Sequence, residues 1–222
     1  MRRILGAMFQ SLDGVVQAPG GPSEDWTGGF ALGGWMPAAA DELVGRTIDA
    51  FFAGRFDLLL GRRTYDIFAG YWPFYDGEEA APIAVSFNRA GKYVLSSGDQ
   101  ALPWENSHRL GGIDALAALK AEDGPDLLIQ GSSTLYPQLL DAGLLDRLTT
   151  MTFPVVLGGG KRLFGEGTPS GTLRMTAHEV SPGGVVVATY EPAGAVAIGT
   201  FPGPPTSARE QERQGQMRRG GW

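Results

Sequence analysis

The sequence predicts one α/β domain, built on a mostly parallel sheet that ends in an antiparallel hairpin. Three observations carry that expectation. Short, continuously apolar runs such as Asp57-Leu58-Leu59-Leu60-Gly61 and Leu127-Leu128-Ile129-Gln130 read as strands buried on both faces. These runs alternate with segments of helical spacing, the order expected of a sheet covered by crossover helices. Near the end, apolar runs over 173–180 and 185–190 flank Pro182-Gly183-Gly184, a hairpin signature.

Taken in order, residues 4–10 form the first strand, closed by the turn Asp13-Gly14. A Gly/Pro-rich loop follows over 18–34. Its length and its content (Glu24, Asp25, Trp26, Phe30) suit a lid or binding loop, and Trp35 stands just beyond it. Pro37 can open a helix, and 41–52 carries Leu43, Val44, Ile48, Phe51 and Phe52 at helical spacing. The strand 57–61 leads into a helix from Thr64 to Phe68, stopped by Gly70 and Pro73. A further helix over 82–88, a strand over 93–96 and a helix over 113–121 come next, the last with Asp114 near its positive end. The strand 127–130 feeds a helix over 132–142, and 148–156 is a strand with Pro154 at an edge position or bulge. Residues 192–222 carry Pro202, Pro204, Pro205 and many charges, with few apolar groups to offset the entropy of ordering. The chain thus divides into a domain over 1–191 and a tail over 192–222 that reads as mobile.

With 222 residues there is enough chain for one sizeable core. Hydrophobic residues at 43% and charged residues at 19% are those of a soluble globular domain. A net charge of −6 argues against a broad nucleic-acid footprint, yet it permits a local cationic cluster for a small anion. No apolar run approaches the ~20 residues needed to span a bilayer. The absence of cysteine excludes disulfides and thiolate metal sites, and a cytoplasmic location is expected. His108 and His178 have no partner at ligand spacing, so no metal is expected.

Two segments share one physical pattern. In Leu60-Gly61-Arg62-Arg63-Thr64-Tyr65 a buried strand ends at a glycine, and a helix begins beside two guanidinium groups. Unpaired N–H groups in such a first turn attract anions, and arginine forks suit phosphate. In Ile129-Gln130-Gly131-Ser132-Ser133-Thr134 a buried strand again meets glycine, followed by three hydroxyls. Each segment also has a plainer reading as a helix cap with solvated side chains. Neither is a Gly-x-Gly-x-x-Gly or a P-loop. The run Gly158-Gly159-Gly160-Lys161-Arg162 is read either as an anion site or, more simply, as a flexible turn.

Together with Ser11-Leu12-Asp13-Gly14, Tyr93-Val94-Leu95-Ser96-Ser97 and Pro154-Val155-Val156-Leu157-Gly158-Gly159-Gly160, these segments resemble the dihydrofolate-reductase-like superfamily. The similarity is to its branch containing the reductase domain of bacterial riboflavin-biosynthesis deaminase-reductases, and it runs from about residue 3 to residue 191. It implies a three-layer fold with about eight strands, NADPH as cofactor, and often a homodimer. By the resemblance, Gly61, Arg62, Arg63 and Thr64 meet the cofactor phosphates, Ser96 and Ser97 lie near the 2′-phosphate or adenine, and Gly131, Ser132, Ser133 and Thr134 hold the pyrophosphate. Asp13 and Asp25 become candidate proton donors, and Trp26, Trp35 and Phe153 candidate walls for a flat substrate. Departures from the pattern matter too. A folate reductase carries an acid on its first long helix beyond a Pro-Trp pair, whereas here the first acids are Asp41 and Glu42. Without cysteine there is no zinc deaminase half, and for a phosphorylated pyrimidine the evident cations are Lys161 and Arg162. The expected function is hydride transfer from NADPH to a small flat heterocycle or carbonyl, pterin-like or pyrimidine-like. A non-catalytic nucleotide-binding dimeric domain is the alternative.

Overall fold

The computed structural model describes residues 1–78, 81–200 and 207–221. Among these, the element order is β1 (Ile4–Ser11), α1 (Glu42–Phe52), β2 (Phe56–Gly61), α2 (Arg62–Ala69), α3 (Ala81–Arg89), β3 (Lys92–Leu95), β4 (Ser107–Leu110), α4 (Ile113–Ala121), β5 (Asp126–Gln130), α5 (Leu135–Asp141), β6 (Arg147–Phe153), β7 (Leu173–Val180), β8 (Val186–Pro192) and α6 (Ala208–Arg218). The strands form one eight-stranded sheet in the order β4-β3-β2-β5-β1-β6-β8-β7. Pairings from β4 through β6 are parallel, and only β8 runs antiparallel to its neighbours. The architecture is the expected dihydrofolate-reductase-like α/β fold.

Alternation along the strands explains the layers, since successive side chains leave opposite faces. Leu58 and Leu60 pack with Phe56, Tyr65, Phe87, Trp104 and Leu128 on the side of α2 and α3. Leu59, Leu127 and Ile129 point the other way, into a core with Leu116, Leu119, Leu135, Tyr136 and Leu139 from α4 and α5. A third cluster joins Leu43 and Val44 of α1 to Trp35, Met151, Phe153, Val185 and Val187. Gly6 of β1 is required by packing, because a Cβ there would lie 2.5 Å from the buried Tyr136 hydroxyl.

Several boundaries differ from the sequence-based expectation for physical reasons. β4 was not anticipated; it is four residues of polar Ser-His-Arg-Leu on an exposed sheet edge, with no apolar run to mark it. Pro37 opens a short 3₁₀ turn, and α1 proper starts after Asp41, whose carboxylate accepts a hydrogen bond from the Val44 N–H at 3.4 Å. α5 does not start at Ser132, because Gly131 (φ +72°) and Ser132 (φ +53°) both lie in the left-handed region. β6 ends at Phe153, so Pro154 follows the strand instead of bulging it. In the tail, α6 is capped by Ser207, and Arg213 pairs with Glu210 at 2.5 Å; none of its residues is buried. Pro202, Pro204 and Pro205 lie outside the described residues. No described helix is long and apolar enough to cross a membrane.

Candidate functional site

The parallel strands deliver their carboxyl ends to one edge of the sheet. The connection leaving β1 passes β5 to reach β2, and the connection leaving β5 passes β1 to reach β6. Crevices at such points, where successive loops diverge, are where open α/β sheets bind ligands. Both glycine turns lie at this edge. In register, Gly61 of β2 stands beside Leu95 of β3, which stands beside Leu110 of β4.

Gly61–Thr64 and Gly131–Thr134, about seventy residues apart in sequence, are locked together by two reciprocal hydrogen bonds. The Gly61 N–H donates to Ser132 Oγ at 3.0 Å, and the Ser132 N–H donates to Thr64 Oγ1 at 3.1 Å. Each hydroxyl accepts in this lock, so its own proton remains to be donated outward. The left-handed backbone at Gly131 and Ser132 turns the Ser132 amide toward Thr64, and Ser132 is buried while Ser133 is half-buried and Thr134 exposed. The fit at Gly131 is close, since a Cβ there would meet Thr64 Cγ2 at 3.3 Å. α2 starts at Arg62 without any side-chain cap, leaving its first-turn N–H groups without intrahelical partners. These donors suit the negatively charged phosphates of a dinucleotide.

Arg62 pairs with Asp66 at 2.9 Å and donates to the Gln100 carbonyl at 3.0 Å. Arg63 is exposed and lines a cleft of about 280 Å³ with Glu24, Asp25, Trp26, Asp66 and Ile67. Ser96 lies at the end of β3, its N–H donating to the Leu110 carbonyl at 3.2 Å and its hydroxyl accepting from Gly98 at 3.3 Å. Ser97 beside it is exposed.

The lid loop and the glycine loop are joined to each other. Gln17, which the sequence reading passed over, is 4% exposed. Its amide donates to the carbonyls of Asp25 (3.0 Å) and Thr27 (2.9 Å), and its oxygen accepts from the Lys161 N–H at 3.1 Å. A buried glutamine in a loop is a signal of such bridging, but burial is invisible in sequence. Lys161 also pairs with the Asp25 carboxylate and donates to Thr27 Oγ1 at 2.7 Å. Arg162 donates to the carbonyls of Asp13 and Gly158 and faces the Asp13 carboxylate at 3.7 Å. Both cations expected for a phosphorylated substrate are therefore committed to holding loops. A second cavity, of about 500 Å³, lies between Gly28–Leu32 and Leu157–Lys161.

The two expected proton donors are held ionised. Asp13 accepts from Ser11 Oγ at 2.6 Å and from the N–H groups of Leu157 (3.1 Å) and Gly158 (2.9 Å). The Ser11 hydroxyl first, then the Leu157 amide, bring its carboxyl down to about 2. Burial alone would raise Asp25, but hydrogen bonds from Lys161 and Thr27 outweigh it and hold the group below the usual carboxylate range. A carboxylate in that state accepts hydrogen bonds and anchors loops; it has no proton to give at neutral pH. Glu24 differs: burial pushes it up, against the lowering effect of hydrogen bonds from the Gly20 and Gly21 amides.

Among the proposed walls, Trp26 is 66% exposed and lines the cleft beside Arg63. Trp35 and Phe153 do not line it. Phe153 is fully buried, and Trp35 packs edge-on against it at 5.5 Å while its indole N–H donates to the Gln17 carbonyl at 2.9 Å. They form the floor beneath the lid because their apolar area finds a core partner in each other. His108 stacks on Tyr93 at 5.2 Å, and the described residues contain no metal-ligating cluster.

The Asp13 latch carries a pH signature. Its folded-state pKa lies below the unfolded carboxylate value, so its contribution to stability is complete above about pH 4 and is lost as pH falls through about 2. The urea midpoint of wild type minus that of Asp13→Asn should be constant near neutrality and shrink over that acid window. A difference that is flat down to pH 2 would contradict the latch.

Comparison with known proteins agrees with this geometry. The family model described as the RibD C-terminal domain matches residues 2–187. The chain is 27% identical over 195 residues to the protein YyaP of Bacillus subtilis (strain 168), covering 85% of this chain and 94% of the relative. A protein from Shewanella sp. PV-4 named for riboflavin biosynthesis has a similar structure, with TM-score 0.65 and 22% identity over 86% of this chain and 99% of the other. Dihydrofolate reductase from Enterococcus faecalis, solved with NADP(H), superposes with TM-score 0.54 at 15% identity, covering 86% of this chain and 96% of that one. With five motifs in order, a sheet of this topology and a match across nearly the whole folded domain, the chain belongs to the RibD C-terminal domain family of NADPH-dependent reductases.

Proposed function

We propose that the protein is an NADPH-dependent reductase acting on a small flat heterocycle, pterin-like or pyrimidine-like, or on a carbonyl acceptor. The observation that supports it most is the reciprocal lock between Gly61–Thr64 and Gly131–Thr134 at the carboxyl edge of the sheet. It gathers uncapped N–H groups and outward-facing hydroxyl protons at one place, the donor set that a pyrophosphate requires. When bound, NADPH supplies the hydride. The protein's part is to orient cofactor and acceptor and to move a proton.

In this reading Thr64, Ser132, Ser133 and Thr134 bind the diphosphate, and the acceptor occupies the cleft between the lid and α2, with Trp26 as a mobile wall. Arg63, without an ion-pair partner among the described residues, orients an acceptor oxygen or ring nitrogen from the other side. Glu24 replaces Asp13 and Asp25 as the candidate acid, because it is the cleft carboxyl whose surroundings favour the protonated form. Neither Lys161 nor Arg162 is free for a substrate phosphate, which favours an unphosphorylated acceptor over a phosphoribosylated one. The homodimer expected by resemblance belongs to the proposal, and sedimentation tests it.

The experiment is a fluorescence titration with NADPH and NADH, followed by NADPH oxidation against a panel of pterins, pyrimidines, quinones and ketones. Saturable NADPH binding with turnover on a member of that panel is expected, and Glu24→Gln should lower kcat about a hundredfold with little change in NADPH affinity. Saturable binding without any turnover favours a non-catalytic nucleotide-binding domain. Failure to bind NADPH at millimolar concentration removes the reading.

A further inference from the structure

The end of the sheet beyond β3 holds a cationic feature that the diphosphate reading does not use. Arg109 of β4 pairs in register with Val94 of β3, two residues before Ser96. Its guanidinium donates to the carbonyl oxygens of both Gly98 and Gln100. Arg62, at the start of α2, donates to the same Gln100 oxygen at 3.0 Å. Two guanidinium groups thus converge on one carbonyl, with Asp66 paired to Arg62 and no carboxylate paired to Arg109 among the described residues. Like charges brought this close repel in the absence of an anion, so the pair leaves an uncompensated positive charge on a protein of net charge −6. Ser96 and the exposed Ser97 add hydroxyls in the loop that Arg109 pins. Gly111 and Gly112 leave open space on the β4 side, where a Cβ would meet nothing within 4 Å.

We infer that Arg109, with Arg62, forms a phosphomonoester subsite at the end of β3 and β4 and is a specificity-determining residue, selecting a 2′-phosphorylated adenosine over the bare ribose. The inference rests on the reductase reading for the choice of ligand. Two planar forks, of which only part is spent on carbonyls, retain N–H groups for a dianionic phosphate. Pinning Gly98 and Gln100 keeps the loop folded so that the two serine hydroxyls stand at the same place before the ligand arrives. This removes part of the ordering cost of binding. A bare 2′-hydroxyl would leave the two cations unneutralised and would gain little from them.

The test is calorimetric titration of the full chain with NADPH, NADH, 2′,5′-ADP and 5′-AMP, for wild type, Arg109→Gln and Arg109→Lys. Wild type should prefer NADPH to NADH and 2′,5′-ADP to 5′-AMP. Arg109→Gln should weaken the two 2′-phosphorylated ligands about ten- to a hundredfold, changing the other two less than about threefold. Arg109→Lys, which keeps the charge and loses the fork, should fall between them. Equal weakening of NADPH and NADH would mean that Arg109 only shapes the loop, and would overturn the inference while leaving the reductase reading intact. Unchanged NADPH affinity would overturn it in the same way. A wild type that binds no NADPH overturns both.

Discussion

Gly131→Ala is expected to weaken NADPH binding at least about tenfold and to lower stability by about 1–2 kcal/mol. Gly131 sits at φ +72°, where an L side chain strains the backbone. The added Cβ would also lie 3.3 Å from Thr64 Cγ2 and 3.5 Å from Thr64 Oγ1. Relief of that contact moves Thr64, and Thr64 Oγ1 is the acceptor for the Ser132 N–H. Strain and contact can be separated with Gly143→Ala. Gly143 has φ +64° and follows α5, yet a Cβ there would meet nothing within 4 Å. It should cost a similar amount of stability and leave NADPH affinity unchanged. Urea unfolding and NADPH titration of both variants make the comparison. Equal affinities for the two would mean that the lock does not shape a cofactor site.

The second large effect lies at the opposite edge of the sheet. Arg2, 3% exposed, forms an ion pair with Asp57, 15% exposed. The guanidinium also donates to the Pro125 carbonyl at 2.6 Å and lies 5.0 Å from the Tyr93 ring centre, while Asp57 accepts from the Gly91 N–H at 2.9 Å. One pair therefore ties together the approaches to β1, β2, β3 and β5. Asp57→Ala leaves a buried guanidinium without a counter-charge and should cost about 3–5 kcal/mol, a melting shift of roughly 10 °C. Arg46 and Glu179, each 58% exposed and 3.0 Å apart, provide the contrast. Glu179→Ala should cost less than about 1 kcal/mol, because solvent screens the pair. NADPH affinity should be the same in both variants, since neither reaches the carboxyl edge. A change below 1 kcal/mol for Asp57→Ala would show that water reaches Arg2.

Glu24 and Asp25 show how adjacent residues part company once folded. Both are acids in one loop, and sequence ranks them alike. In the structure Lys161, more than a hundred residues later, takes Asp25 and keeps it charged, while Glu24 has only backbone amides to oppose its burial. Asp13 has the same history, fixed by the amides of Leu157 and Gly158. Trp26 and Trp35 are equally plausible walls in sequence; one is exposed in the cleft, and the other is packed on Phe153.

The sequence by itself determined the buried strands, the two glycine turns that close β2 and β5, and the hairpin of β7 and β8. Each rests on a local pattern: an apolar run, a residue able to adopt positive φ, or a Pro-Gly-Gly between strands. Only the tertiary structure decided that the two turns share a lock, that β4 exists at the polar edge, and which carboxyls keep their charge. Those properties depend on which donors, cations and apolar faces meet across separations of seventy to a hundred and forty residues. Pairing and desolvation at that range have no trace in local spacing, because the same aspartate or tryptophan serves either role until the sheet brings its neighbour to it.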